Sequence, residues 1–129
     1  MSTGKAIYAI LSAAPTISAS VGNRIYPMLA PPNVAAPYII YQVISGNSSQ
    51  RALIAGNRGR ERVQLTCWST SYGAAQALAD VVTVALDRIS GRFGGVDVRD
   101  FVSGGYAEQH DPETNRFGVI LDFHVTVRA

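Results

Sequence analysis

The chain of 129 residues carries a formal net charge of +2, with 47% hydrophobic and only 16% charged residues. These values fit one domain with a sizeable core, and they exclude the strongly basic, clustered composition typical of nucleic-acid-binding proteins. The single cysteine excludes an internal disulfide and a cysteine-based zinc site, while ten arginines against one lysine favour a surface that other subunits contact.

The N-terminal residues predict an amphipathic helix and not a targeting segment. Apolar residues recur at helical spacing over residues 3–14, until Pro15 ends the pattern. The chain lacks the features of a secretion signal and any run of about 18 apolar residues, so we expect synthesis in the cytoplasm and no membrane contact. "NRIYP" at residues 23–27 then predicts a short extended segment, and the prolines of residues 27–37 predict a loop.

Two strong strand patterns follow, separated by a long connection. The aromatic and β-branched residues of "PYIIYQVIS", residues 37–45, predict a central strand covered on both faces. The residues from about 46 to 60 are rich in glycine and asparagine and predict a flexible hairpin connection. In "ERVQLTCWS", residues 61–69, apolar side chains alternate with polar ones, which places Cys67 on the apolar face and Trp68 on the polar one.

The second predicted helix follows that strand with almost no spacer. Ser69, Thr70 or Ser71 can cap its first turn, and Gly91 supplies a stop. One stripe of the predicted helix is apolar and would face the core, and it consists of Ala75, Leu78, Val82, Ala85, Leu86 and Ile89.

The last third of the chain predicts two strands joined by a turn. Residues 94–109 predict a strand with a bend, and "HDPETN", residues 110–115, predicts the turn. Residues 116–128, "RFGVILDFHVTVR", alternate almost without interruption and give the clearest strand pattern of the sequence.

These elements predict an α+β fold in which residues 1–129 form a single domain. The sheet is expected to be twisted, mostly antiparallel and built of four to five strands, with two helices packed on one face. Trp68 and Ile120 leave the other face partly apolar, and an exposed patch of this kind usually marks a surface that another chain covers.

No group of residues indicates catalysis or ligand binding. Alternation places Cys67 and His124 on opposite faces of the sheet, which disfavours a nucleophile and base pair. His110, Asp111 and Glu113 are potential metal ligands, but a polar turn containing proline is ordinary hairpin chemistry. The glycine pairs at residues 94–95 and 104–105 match neither nucleotide-binding motif and favour bends or bulges. We therefore predict no catalytic residue, no metal and no cofactor.

One basic cluster remains, and it consists of Arg51, Arg58, Arg60 and Arg62. A charged loop is most often only solvated, although these arginines could also contact a partner protein or nucleic-acid phosphates. With Trp68, they are the candidate protein-interface residues, because aromatic residues and arginine are enriched at interfaces.

The order of four segments resembles a known family. "NRIYP" (23–27), "PYIIYQ" (37–42), "ERVQLTCWS" (61–69) and "SYGAAQALADVVTVAL" (71–86) resemble the tail completion, or tail terminator, proteins of long-tailed bacteriophages, prophages and gene transfer agents. The resemblance covers residues 3–90 well, and beyond Gly91 only the pattern of two further strands matches. No catalytic residue of the family maps onto this chain.

The resemblance implies a structural virion protein that forms a ring, expected to be a hexamer, at the head-proximal end of the tail tube. Such a ring stops tube polymerisation and offers an attachment surface to the head. The expected partners are further copies of the chain, the tail tube protein and the head-tail connector or stopper protein, with DNA close by in the lumen. The alternative from a different class is a small ligand-binding or metal-binding domain, or an enzyme of unknown substrate.

Overall fold

The computed structural model describes residues 3–44 and 55–128, where three helices pack on one face of a six-stranded mixed sheet. In chain order the elements are α1 (Thr3–Ala13), α2 (Pro15–Val21), β1 (Ile25–Pro27), β2 (Tyr38–Ile44), β3 (Gly59–Ser69), α3 (Tyr72–Leu86), β4 (Gly91–Phe93), β5 (Val96–Asp111) and β6 (Arg116–Arg128). The predicted α+β class is confirmed. The predicted counts of four to five strands and two helices were too low, because they omitted the short elements β4 and α2.

The sheet has the strand order β1-β2-β3-β6-β5-β4. The pairing of β1 with β2 is parallel, and the other four pairings are antiparallel, so the prediction of a mostly antiparallel sheet is confirmed. The predicted connection at about 46–60 falls largely on residues 45–54, which lie outside the described residues, and β3 already begins at Gly59.

The two central strands follow the predicted alternation. Every second residue of β3 is buried, and the same holds for β6 from Val119 to Val127. Antiparallel register pairs Leu65 with Leu121 and Cys67 with Val119, so the apolar side chains of both strands share one face. That face lies under the helices and forms the core, where Phe101 and Phe123 meet edge to face with 5.2 Å between ring centroids.

The additional helix α2 starts at the residue predicted to end the first. Pro15 does end α1, but it also occupies the first turn of α2, where its fixed φ and missing N–H are tolerated. Ile17 and Val21 are fully buried and hold α2 in the core. Proline thus marks a boundary between two helices at this position.

Helix α3 ends earlier than its apolar stripe predicted. Its start is confirmed, because the Ser71 hydroxyl accepts a hydrogen bond of 3.2 Å from the Ala74 N–H. Its last residue is Leu86, five positions before Gly91, because Arg88 adopts a positive φ and its N–H donates to the Phe101 carbonyl. A contact with a distant strand therefore ends the helix, and Gly91 begins β4 instead.

The glycine pairs lie where the strands bend, as predicted. Gly94 and Gly95, both with positive φ, form the turn between β4 and β5, which is the backbone that a two-residue hairpin turn requires. Gly104 lies inside a register shift between Ser103 and Gly105, and Gly105 has a positive φ of 135°. The long strand β5 is consequently bulged in its middle.

The described helices are too short or too polar for a bilayer. None of them combines the length and the hydropathy that a membrane span requires. This finding covers the helices within residues 3–44 and 55–128.

Candidate functional site

The sheet face opposite the helices, called the outer face below, carries Trp68 as predicted. Trp68 stacks on Tyr38, its register partner in β2, with 6.4 Å between ring centroids. The Arg116 guanidinium lies 5.5 Å from the centre of the Tyr38 ring on this face, close enough for a cation–π interaction. Trp68 is thus part of an ordered aromatic and cationic cluster.

The loop before β2 forms a groove over this cluster. The groove has a volume of about 340 Å³, and Leu29, Pro31 and Val34 of the loop line it together with Tyr38 and Trp68. Its lining is mainly apolar and aromatic, which is typical of a surface that contacts another protein. We refer to it as the outer groove.

The basic cluster does not join Trp68. Arg60 and Arg62 do lie on the outer face, but Arg62 is six positions of extended strand from Trp68, or roughly 20 Å. The Arg62 guanidinium forms an ion pair of 3.2 Å with Asp122, and Arg60 donates a 3.2 Å hydrogen bond to the Thr126 hydroxyl. Arg58 is exposed just before β3, and Arg51 lies outside the described residues.

A second groove opens on the helix side of the sheet, between α3 and β5, and is called the helix groove below. Its volume is about 320 Å³. The floor is apolar, with Ala79, Val119 and Leu121 at most 6% exposed. Tyr106, 63% exposed, forms one wall, and the carboxylate of Asp80 forms part of the rim. Sequence reasoning did not anticipate this groove.

Hydrogen bonds fix the end of the helix groove that lies beside the first turns of α3. The Tyr72 hydroxyl donates to a Glu108 carboxylate oxygen at 2.6 Å, and the Gln76 amide donates to the same oxygen at 2.6 Å. The bond to Glu108 raises the pKa of Tyr72 above its ordinary value, since it favours the protonated phenol. These contacts hold β5 and α3 apart at a fixed spacing while leaving Glu108 exposed.

Cys67 and His124 lie apart, as alternation indicated. Cys67 is fully buried under the helices, whereas His124 lies on the outer face with its ring against Gly104. In the register of β3 and β6, His124 pairs with Arg62, five positions from Cys67. Burial raises the pKa of the Cys67 thiol to about 12, so the thiol stays protonated and does not act as a nucleophile.

A thiol-labelling experiment tests this burial. We expect Cys67, the only cysteine of the chain, to resist a maleimide or a disulfide reagent at pH 8 in the folded protein, because the reactive thiolate is suppressed and inaccessible. Unfolding in guanidinium should release one reactive thiol per chain. Rapid, complete labelling of the folded protein would contradict the buried position.

The polar turn between β5 and β6 has structural contacts. The Asp111 carboxylate accepts hydrogen bonds from the Glu113 N–H at 3.0 Å and from the Thr114 hydroxyl at 2.9 Å, and the bond from Thr114 is the main cause of its lowered pKa. The His110 ring pairs with the Asn115 side chain at 2.8 Å. Within the described residues, no three His, Cys, Asp or Glu side chains are grouped to hold a metal.

The exposed apolar residues around the two grooves were not predicted from the sequence. Leu29 and Met28 are 80% and 66% exposed, and Tyr106 is 63% exposed. A proline-rich loop and a strand with two glycines offered no periodic signal for them. In the sequence, Gly118 was the one residue that could have indicated the Trp68 cluster, because the pairing of β3 with β6 places this glycine opposite the indole.

The chain is similar to proteins of phage-like particles. The family model "Tail completion protein gp17" matches residues 5–128. A chain from the solved structure "Virion of native gene transfer agent (GTA) particle" aligns with a TM-score of 0.76 at 17% identity, over 96% of this chain and 92% of that chain. A second solved chain, whose description names no function, aligns with a TM-score of 0.57 at 15% identity over the same shares. No curated protein matches the sequence.

Proposed function

We propose, from the premise that the chain belongs to the tail completion protein gp17 family, that it is the tail terminator of a phage or a gene transfer agent. The family makes the chain a structural protein of the virion tail. The proposal adds that it assembles into a ring, with six subunits as the resemblance implies, at the head-proximal end of the tail tube. It is made in the cytoplasm of the host bacterium and acts without catalysis.

Family membership across residues 5–128 is the observation that carries this proposal. The fold shared with a chain of a gene transfer agent virion supports it. The contacts of the reactive groups are also those of a structural protein. Cys67 is buried as a protonated thiol, and Asp111 caps a turn.

The mechanism of such a protein is geometric. A ring whose lower surface matches the tube, and whose upper surface differs from a tube subunit, leaves no site for the next subunit and so fixes the tube length. The upper surface then binds the head-tail connector or stopper protein. A closed ring needs heterologous contacts, in which one surface of a subunit meets a different surface of the next.

Deleting the gene tests the proposed function directly. We expect particles from the deletion strain to carry abnormally long tail tubes that are not joined to heads, with normal tails restored by the gene supplied in trans. Negative-stain electron microscopy measures both the length distribution and the joining. Tails of normal, uniform length attached to heads in the deletion strain would refute the role.

The basic cluster can be tested within the same strain. We expect the double substitution R58A/R60A to lower the yield of tailed particles several-fold while leaving the Tm of the purified protein within about 2–4 °C, because both side chains are exposed. The matched control is R92A, which removes an exposed arginine paired with Asp97 at 3.0 Å in the β4–β5 hairpin. Normal particle yield from R58A/R60A would remove these arginines from the interface.

A further inference from the structure

The two ends of the sheet carry apolar features of opposite shape. At one end, the chain leaves the edge strand β1 and exposes Met28 and Leu29. The structure fixes this turn, since the Met28 N–H donates to the Tyr41 carbonyl at 2.9 Å. Towards the other end lies the helix groove, concave and with an apolar floor. A protruding apolar pair and a groove with an apolar floor therefore lie on different sides of one subunit.

The edge beside the helix groove is also incompletely paired. Strand β4 pairs only with Val96–Val98, so from Arg99 to Asp111 the described part of β5 has β6 on one side and no strand on the other. Residues 102–110 are all exposed, among them Val102 at 38% and Tyr106 at 63%. Long, unpaired edges with apolar side chains are unusual on a free protein surface, because they invite another chain.

The charged side chains around the two features differ as well. Arg24 is the only charged residue between residues 6 and 44, and Arg116 lines the outer groove together with Leu29. At the helix groove, Asp80 lines the rim and Glu108 lies at its end, with no arginine or lysine among the described lining residues.

From these observations we propose that the helix groove is the docking site for the Met28–Leu29 turn of a second copy of this chain. Leu29 would cover the apolar floor formed by Ala79, Val119 and Leu121, beside the carboxylate of Asp80 at the rim. The contact is heterologous, because the turn and the groove are different surfaces, and repeated contacts of this kind can close a ring. The inference rests on the proposed function, and it identifies the surfaces by which the ring subunits meet.

Two charge variants at one position test the contact. L29D places an anion against an acidic groove, whereas L29K places a cation there, and both substitute an exposed residue so that folding is retained. We expect L29D to yield at least about tenfold fewer tailed particles than L29K, since like charges in an interface cost more than the 1.4 kcal/mol that a tenfold change represents. Thermal melts of both purified variants confirm that they are equally folded. Equal yields, whether both are normal or both are low, would overturn the assignment.

Cross-linking inside assembled particles distinguishes this contact from the proposed function. We expect L29C/S103C, treated with a short bismaleimide, to give a ladder of covalent multimers beyond the dimer. Each single variant should give none, because Ser103 lines the groove and Leu29 lies on the opposite side. Native Cys67 is buried and supplies no background. Normal tails without a ladder, or dimers from a single variant, would overturn the docking site alone, whereas normal tails in the deletion strain would overturn the function.

Discussion

Replacing Glu61 with glutamine is expected to make the protein more stable at neutral pH. Glu61 is fully buried in β3 on the face under the helices. One carboxylate oxygen accepts a weak 3.4 Å hydrogen bond from the Thr3 hydroxyl, and the other has no partner among the described residues. Because burying a charged carboxylate with an unsatisfied oxygen costs more than burying a neutral amide in the same place, we expect E61Q to raise the free energy of unfolding by about 1–3 kcal/mol.

The contribution of Glu61 to the free energy of unfolding depends on pH in a definite direction. Burial raises the pKa of Glu61 above its ordinary value of 4.5, and the bond from Thr3 opposes this only in part. The folded protein therefore retains the Glu61 proton at pH values where the unfolded chain has lost it. Stability falls as the pH rises from about 4.5 through the folded-state pKa, and remains lower above it. In E61Q this loss is absent, so the difference between the two proteins should grow with pH across that window.

Urea unfolding from pH 4 to pH 8 measures this difference. Asp111, whose pKa is lowered, contributes stability that is lost as the pH falls through its own folded-state pKa, but this contribution is common to both proteins and cancels in the difference. The control is E113Q, the same substitution at an exposed turn position, where we expect a change within about 0.5 kcal/mol. An E61Q protein less stable than the wild type at pH 7 would show that the carboxylate makes a net stabilising contact.

The long central elements were predictable because one physical cause determined each of them. Strand β6 alternates from Val119 to Val127 because one face packs on the helices, and the sequence alone carries that period. The buried stripe of α3 follows for the same reason. These patterns therefore fixed the fold class and the side of the sheet on which Trp68 lies.

The short elements depended on contacts that a local pattern does not contain. Strand β4 has only three residues, and it exists because Val96–Val98 pair with it. The early end of α3 depends on a hydrogen bond from Arg88 to Phe101, thirteen positions later in the chain. Neither contact has a periodic signal, so a reading based on periodicity extended α3 and omitted β4.

The candidate interface was predictable only at the level of residue type. Trp68 was correctly placed on the outer face, but its partners Tyr38 and Arg116 come from other strands, and only strand register brings them together. Glu61 illustrates the same limit. A glutamate near the start of a strand is normally solvated, and its burial depends on how the N-terminal end of α1 packs against β3.

Replacing Gly118 with alanine is expected to destabilise the protein for as long as Trp68 is present. A Cβ atom built on Gly118 would lie 3.0 Å from two atoms of the indole ring, which is tighter than a packed Cβ contact normally is, so the indole would have to shift. Trp68 cannot shift cheaply, because it stacks on Tyr38, which in turn lies beneath Arg116. We therefore expect G118A to destabilise the protein by about 1–3 kcal/mol, and G118V by more.

The effect of G118A on the free energy of unfolding should change from destabilising to stabilising once the indole is removed. In a W68A background the Cβ of residue 118 meets no ring, and Gly-to-Ala in a strand then stabilises by about 0.4–1 kcal/mol through reduced entropy of the unfolded chain. Urea unfolding of the wild type, G118A, W68A and the double variant gives the coupling free energy, which residues in direct contact place between about 0.5 and 3 kcal/mol. A coupling near zero would mean that the indole does not pack over Gly118. If the coupling is confirmed, the position of Trp68 on the outer face is set by the one residue opposite it that has no side chain.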